Sequence, residues 1–252
     1  MTKRRTYRKP HRYKSKKPIS RQPVLRLGIL VFIFFVSLFY FLFFTPPFQV
    51  KTVSVTGQEK IAKEDIESFI PKKNIFLVDT AKISKDILSQ FPQIAGVEVS
   101  RGFFDAVNIV VRERQGAACW VKEDRYFLVD DQGIIFEEMA EMKPGLISIK
   151  TAETGLPKLG ERVIEKEQLS QVFEIKSKLK ESAGLSVKEA FLESADRLNL
   201  KTSEGWDIYF NLKGDLGWQL TELALVLEKQ ISPDRREALE YVDLRFSRVY
   251  YK

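Results

Sequence analysis

The longest apolar segment of the chain lies near its beginning. The eighteen residues of 27–44 carry no charged side chain, and extension to 24–44 gives 21 residues, roughly 31 Å as a helix. That length matches the hydrocarbon core of a bilayer. Arg26 can extend its guanidinium to the headgroups, and the following Thr-Pro-Pro ends the helix because proline lacks an amide donor. The pattern predicts one transmembrane helix over 24–44.

A buried helix of a globular core or a cleaved signal peptide could also produce an apolar segment of this kind. A core helix so rich in phenylalanine would be unusual. The apolar region of a signal peptide spans about 7–15 residues and is followed by small residues at the cleavage site. Phe-Phe-Thr-Pro-Pro follows here instead, so we predict an uncleaved anchor.

Residues 48–115 show strand and helix periodicities in the order strand, helix, helix, strand, strand. Amphipathic helices are predicted over 63–70 and 80–91, with Thr80 as the expected N-cap of the second. The strands are predicted at 51–56, 95–100 and 106–114. The last two are joined by the turn RGFFDA. Two helices on one face of a three-stranded sheet would bury these apolar stripes.

From residue 116 the pattern becomes mostly β, with two helices. The helices are predicted over 165–182 and 216–230, with Asp215 as the cap of the second. The strands are predicted at 118–121, 125–129, 134–137, 187–192, 197–203 and 206–212. The chain closes with YVDLRF and RVYYK, which we interpret as terminal strands. The fold class is therefore α+β: one N-terminal transmembrane helix, a β-α-α-β-β domain over 48–115, and a β-rich domain with helices over 116–252.

Charge is distributed very unevenly along the chain. Of 41 Lys and Arg residues, eleven precede residue 27, where no acidic residue occurs. From residue 27 onward the balance is 30 basic to 34 acidic, a net charge of −4, which removes the support for a general nucleic-acid-binding protein. The positive-inside rule places the tail, 1–23, in the cytoplasm and 48–252 outside. The tail is expected to be disordered and lipid-facing, with nucleic-acid contact as the less favoured alternative.

One Cys, Cys119, and one His, His11, limit the available chemistry. His11 lies in the tail, so histidine-dependent triads and zinc sites built on several Cys or His residues are excluded elsewhere. We expect no metal, no cofactor and no small-molecule substrate. Cys119 is expected to be a small buried apolar residue rather than a nucleophile.

Two acidic pairs and one junction pair are the remaining candidates for chemistry. Asp130-Asp131 and Glu137-Glu138 could act as paired carboxylates for hydrolysis, but no acid–base partner is evident and surface loops are favoured. Glu113 and Arg114 are expected to brace the junction between the two domains.

An ordered set of motifs resembles the FtsQ/DivIB family of bacterial cell-division proteins. The segments are FQVKTVSVTGQEKIAKEDI, NIFLVD, FPQIAGVEVSRGFFDAVNIVVRERQGAACW, YFLVDDQGIIF, GLPKLGERV, GWDIYFNLKGD and YVDLRFSRVYYK. The stretch from 48 to 115 resembles that family's POTRA domain. Gly116 stands where the family usually has proline.

The resemblance implies a non-enzymatic scaffold at the division septum in the cytoplasmic membrane. It would bind other single-span division proteins, of the FtsB/DivIC and FtsL type, outside the membrane. In such proteins the partner adds a strand to the edge of the last sheet, where exposed backbone groups give affinity. The corresponding residues of this chain are Arg245, Phe246, Ser247, Arg248, Val249, Tyr250 and Tyr251.

The sequence leaves alternatives to this interpretation open. The C-terminal segment could be an ordinary strand whose Phe246 and Val249 fill the core. Asp243 and Arg245, on one strand face, could pair with charges of a partner or could simply be solvated. At the level of function, a POTRA-containing protein of polypeptide secretion or envelope assembly and a membrane-anchored cell-wall hydrolase are the alternatives to a division scaffold.

Overall fold

The computed structural model describes residues 22–152, 154–231, 233–236 and 238–252. Helix α1 spans Gln22–Phe44. Its stretch Leu25–Phe44 is long and apolar enough to cross a membrane and is not buried against the rest of the protein. The helix begins two residues earlier than predicted, and the other residues of the predicted tail, 1–21, lie outside the described part of the chain.

A three-stranded sheet with two helices follows α1. The strands are β1 Thr52–Thr56, β2 Ile94–Arg101 and β3 Ala106–Glu113; the α-helices are α2 Lys63–Glu67 and α3 Thr80–Gln90; short 3-10 helices span Pro46–Phe48 and Ile75–Leu77. The sheet order is β1-β3-β2, with β1 parallel and β2 antiparallel to β3. Ile66, Ile87 and Ile109 meet in its core, where each is completely buried. The predicted β-α-α-β-β order is confirmed.

The N-cap of α3 differs from the prediction. Asp79, not Thr80, is the cap, and its carboxylate accepts a hydrogen bond from the Lys82 amide at 3.0 Å. Both a carboxylate and a threonine hydroxyl can accept a hydrogen bond from a free amide. Only the carboxylate, which is charged, also interacts favourably with the positive end of the helix dipole. Thr80 is the first helical residue instead.

A nine-stranded sheet and the remaining helices occupy the rest of the chain. The strands are β4 Ala118–Lys122, β5 Arg125–Val129, β6 Ile135–Met139, β7 Ile147–Thr151, β8 Val187–Ser194, β9 Arg197–Thr202, β10 Asp207–Asn211, β11 Tyr241–Asp243 and β12 Tyr250–Tyr251. The helices are α4 Lys166–Ala183, α5 Leu216–Lys229 and α6 Pro233–Arg236. Asp215 caps α5 as predicted, accepting a hydrogen bond from the Trp218 amide at 2.9 Å.

The order of the sheet is β12-β11-β10-β9-β8-β7-β4-β5-β6. Alternate residues of its strands, such as Ile149, Leu200 and Ile208, form one core with the apolar sides of α4 and α5, which therefore cover one face. Strand β7, which the sequence patterns did not indicate, lies between β4 and β8 and is parallel to both. The α+β class and the β-rich second part are confirmed.

Candidate functional site

The two edges of the nine-stranded sheet differ. At one edge, the start of β6 is covered by a returning loop: the Gly160 amide donates to the Ile135 carbonyl at 2.7 Å, and the Ile135 amide donates to the Glu161 carbonyl at 2.9 Å. At the other edge lies β12, and in the part of the chain that the structure describes no strand pairs with its outer side. We call this outer side of β12 the open edge.

The hydrogen-bond register of β12 identifies which backbone groups face the open edge. Tyr241 and Lys252 exchange amide and carbonyl bonds, at 3.2 and 3.3 Å. Along an antiparallel ladder, successive residues point their backbone groups alternately toward and away from the partner strand. The backbone N–H and C=O of Tyr250, which pairs with Asp243, therefore face β11. Those of Tyr251 point outward.

The residues before β12 form a loop, which corrects the prediction of a strand over 245–251. Of the predicted site residues only Tyr250 and Tyr251 lie in a strand, whereas residues 244–249 connect β11 to β12. The turn begins because the Asp243 side chain accepts a hydrogen bond from the Arg245 amide at 3.0 Å. Such a local side-chain bond gives the backbone an alternative to the sheet ladder. The predicted site residues are therefore a loop followed by a two-residue edge strand.

Arg245 is held inside this loop rather than presented outward. Its Nε and Nη2 bond the two oxygens of Asp243 at 2.9 and 2.6 Å, and Nη1 lies 3.7 Å from Glu193. Its guanidinium also lies 5.0 Å from the centre of the Tyr209 ring. The Asp243 hydrogen bond raises the pKa of Arg245 despite partial burial. Asp243 and Arg245 therefore pair with each other, and the burial of Asp243 shows that the expectation of a solvated face is wrong. Pairing with a partner's charges stays a prediction.

Aromatic side chains surround the open edge on both faces. Phe246 and Tyr250 contact each other edge to face, with ring centres 5.9 Å apart, and are 56% and 54% exposed. Tyr251 lies on the opposite face, where its hydroxyl bonds the Gln230 side chain at 3.2 Å. Phe246 therefore does not fill the core, contrary to the alternative prediction, whereas Val249 packs partly against it.

A shallow pocket beside the loop completes this surface. Its volume is about 440 Å³, and its lining includes Trp218, Leu244 and Phe246. Sequence reasoning missed Trp218, although the sequence contains one signal: this residue falls outside the apolar stripe of α5. In the structure its side chain is 37% exposed. An exposed tryptophan is a frequent anchor of protein interfaces.

Asp130 and Glu138, one member of each acidic pair, have structural partners. Asp130 is buried, contrary to the predicted surface loop; it accepts hydrogen bonds from the Gln132 and Ile134 amides at 3.0 and 2.9 Å and pairs with Arg114. Glu138 forms a two-pronged pair with Arg125, at 2.7 and 2.6 Å. These carboxylates thus hold a turn and a strand pair together.

Arg114 braces the junction between the two sheets, as predicted, whereas Glu113 bonds only within the first domain, so the prediction is wrong for Glu113. One Glu113 oxygen accepts hydrogen bonds from the amides of 59, 60 and 61 at 2.8–3.2 Å. Arg114 donates to the Pro92 carbonyl at 3.0 Å on one side and pairs with Asp130 on the other. Each side chain therefore joins segments that are distant in sequence.

The amide contacts of Glu113 predict a pH-dependent contribution to stability. Burial alone would raise the pKa of Glu113, but the three amides and the Lys60 charge together lower it below its ordinary value of 4.5. A carboxyl with a lowered folded-state pKa stabilises the fold fully above its unfolded pKa, and the effect is lost as pH falls through the folded pKa. Compared with Glu113→Gln at matched pH, the wild type should protect amides 59–61 better from hydrogen exchange above about pH 4.5. The difference should disappear on further acidification, and a constant difference would contradict this role.

Cys119 is completely buried, as predicted, and burial raises the pKa of its thiol. A protonated, inaccessible thiol is unreactive. Among the described residues, no three His, Cys, Asp or Glu side chains are grouped closely enough to hold a metal ion.

The structure thus combines an apolar N-terminal helix, a three-stranded POTRA-type domain, and a larger sheet with the open edge at β12. Two family models match this arrangement in order: the FtsQ-type POTRA domain over residues 48–114, and the C-terminal domain of cell division protein FtsQ/DivIB over 118–245. The chain belongs to the FtsQ/DivIB family of cell-division proteins.

Individual relatives extend this similarity over most of the chain. Cell division protein FtsQ of Chloroflexus aurantiacus is 26% identical over 227 residues, covering 89% of this chain and 80% of the relative. The FtsQ of Chloroflexus aggregans is 25% identical over 218 residues, covering 86% and 77%. Cell division protein DivIB of Clostridium acetobutylicum is 34% identical over 96 residues, covering 36% and 38%.

A solved structure of the major extracytoplasmic domain of DivIB from Geobacillus stearothermophilus also matches. It has 12% sequence identity and a TM-score of 0.30, and the match covers 48% of this chain and 98% of that one.

Proposed function

We propose that this chain is a membrane-anchored scaffold of the bacterial division machinery. Its apolar helix, 24–44, spans the cytoplasmic membrane with the basic tail, 1–23, inside the cell. The POTRA domain, 48–115, and the C-terminal domain, 116–252, lie outside. There the chain binds other single-span division proteins, of the FtsB/DivIC and FtsL type, and supports septum formation without catalysing a reaction.

The single observation that carries this proposal is the open edge of β12. Its counterpart at β6 is covered at its start by the chain's own loop, whereas β12 leaves the Tyr251 amide and carbonyl directed away from the sheet. An unpaired strand edge can accept a strand from another chain, because the backbone groups of both are then satisfied. The edge strand has only two residues, which limits indiscriminate pairing.

Side chains around the open edge supply selectivity for a partner. A strand added beside Tyr251 would pass Phe246 and Tyr250 on one face, and the pocket next to Trp218 lies close to the loop. Exposed aromatic side chains with few rotatable bonds are common interface anchors. The Asp243–Arg245 pair holds the loop in shape, so less conformational freedom is lost on binding.

The membrane anchor contributes to binding without making a contact. Two single-span proteins in one membrane are confined to a layer, which raises their effective concentration. Moderate strand-edge affinity then suffices for a stable complex.

The cellular position of the full chain tests the scaffold function. A fluorescent protein fused to the cytoplasmic N-terminus should concentrate at midcell in constricting cells. A matched fusion that ends at residue 48 keeps the tail and the span and should label the membrane uniformly. Uniform labelling by the full chain throughout the cell cycle would contradict the proposal and favour a role in secretion or envelope assembly.

A further inference from the structure

The POTRA domain exposes a cluster of large apolar side chains next to the end of α1. Phe103, Phe104, Phe76 and Leu77 are 81%, 53%, 47% and 55% exposed. We call these four residues the aromatic end. None of the four belongs to the buried core of the domain, whose nearest member is Phe48. In water, such a contiguous apolar surface is unfavourable and usually marks an interaction site.

The aromatic end is joined to the transmembrane segment by direct contacts. Phe41, in the last turns of α1, contacts Phe48 with ring centres 5.5 Å apart. Phe48 in turn contacts Phe76 at 5.7 Å and Phe104 at 6.1 Å. The aromatic end therefore lies within two ring contacts of the span.

A side-chain cap fixes the domain against the helix end. The Asn74 amide nitrogen donates to the Leu42 and Phe43 carbonyls at 2.7 and 3.1 Å. These carbonyls belong to the last turn of α1, which otherwise lacks intrahelical partners. Asn74 is buried and precedes Phe76 by two residues. Rotation of the domain away from the helix end would break these bonds and leave the carbonyls unpaired.

The turn that presents Phe103 and Phe104 is held in an unfavourable conformation. Phe104 has a φ of 58°, a region that bulky side chains rarely occupy. The Gly102 amide donates to the Ala106 carbonyl at 2.8 Å and closes the turn. Glycine or asparagine would adopt this φ more easily. Phenylalanine at this position therefore strains the backbone, and its ring is exposed.

We propose that the aromatic end inserts into the interfacial layer of the bilayer that α1 spans. Phe48 contacts a ring of the span itself, so Phe76 and Phe104 are at the level of the headgroup region, which extends about 5–7 Å beyond the hydrocarbon on each side. Aromatic rings are enriched at this level. Lys51, Lys72 and Lys73 are exposed nearby, and their amino groups can reach the lipid phosphates. The POTRA domain is then seated on the membrane rather than tethered above it.

This inference rests on the membrane anchor of the proposed function, and its test separates the two. The full chain is reconstituted in vesicles of phosphatidylcholine and phosphatidylglycerol with brominated acyl chains, which quench tryptophan fluorescence on contact. Three variants are compared: Phe103→Trp in the aromatic end, Phe35→Trp in the span, and Leu159→Trp in an exposed loop of the C-terminal domain. Strand β3 leads away from the aromatic end over eight residues, about 26 Å, before that domain begins.

Docking predicts that the added fluorescence of Phe35→Trp is strongly quenched in brominated vesicles and that the added fluorescence of Phe103→Trp, at the headgroup level, is partly quenched. Leu159→Trp should behave like the wild type, whose three tryptophans all lie in the C-terminal domain. Quenching of Phe35→Trp without quenching of Phe103→Trp would overturn the docking and leave the anchor intact. Retained fluorescence of Phe35→Trp would overturn the anchor and, with it, the docking.

Discussion

Alanine in place of Gly133 is expected to lower the free energy of unfolding of the C-terminal domain by about 3 kcal/mol or more. Gly133 has a φ of +78°, and a Cβ there would lie 1.9 Å from the Ile164 carbonyl oxygen. Neither segment can move freely, because the Gly133 amide donates to the Asp130 carbonyl and its carbonyl accepts from the Val163 amide. Both the strained φ and the steric clash therefore oppose the substitution.

Gly145→Ala is the matched control for this prediction. Gly145 also has a positive φ, +86°, but nothing lies within 4 Å of its added Cβ. It should therefore show the conformational cost alone, about 1–2 kcal/mol. Denaturant unfolding followed by tryptophan fluorescence reports this domain, because all three tryptophans lie within it. Equal losses in both variants would show that close approach to Ile164 is not the cause.

The same turn shows how much of the fold local sequence can predict. In YFLVDDQGIIF, the apolar residues predict two strands and the polar residues predict the turn. The sequence contains the two residues that shape the turn: Asp130 accepts two turn amides, and Gly133 allows the close approach to Ile164. What remained hidden was the burial of Asp130, because it depends on Arg114 from the other side of the domain junction.

The POTRA domain was predictable because the local sequence pattern of each of its elements is clear. Its amphipathic helices and alternating strands carry clear periodicities, and Ile66, Ile87 and Ile109 are buried as those periodicities require. Strand β7 lacked such a signal. It has only five residues, and Ser148 is buried with its apolar neighbours Ile147 and Ile149, so its burial does not follow the alternation of apolar and polar residues.

The candidate site was predicted in position but not in shape. The alternation in YVDLRF is typical of a strand, and the ladder does extend through Asp243. Beyond it, the Asp243 side chain bonds the Arg245 amide and turns the chain out of the sheet. A pattern of apolar and polar residues does not reveal such a competing side-chain bond.

Proline in place of Tyr251 is the second substitution with a large expected effect. The Tyr251 amide faces the open edge and bonds no residue of β11, so its removal should leave the sheet intact; proline is tolerated in edge strands with this orientation. For an added strand, however, proline removes a donor and places a ring in its path. We expect the affinity for an FtsB/DivIC-type partner to fall about tenfold or more, at least about 1.4 kcal/mol.

Two matched variants separate the backbone effect from other causes. Tyr251→Val removes the aromatic ring and the bond to Gln230 but keeps the outward amide, so most of the binding should remain. Tyr250→Pro removes an amide that faces β11 and should loosen β12 itself. Unfolding followed by tryptophan fluorescence should therefore distinguish Tyr250→Pro, and not Tyr251→Pro, from the wild type.

The most direct test of strand addition at the open edge is the affinity of the full-length chain for a single-span partner of the FtsB/DivIC type, measured with both proteins in one membrane. The account predicts that Tyr251→Pro loses binding while Tyr251→Val retains most of it and both remain folded. Wild-type affinity of Tyr251→Pro would contradict pairing at β12 and would place the partner on another surface.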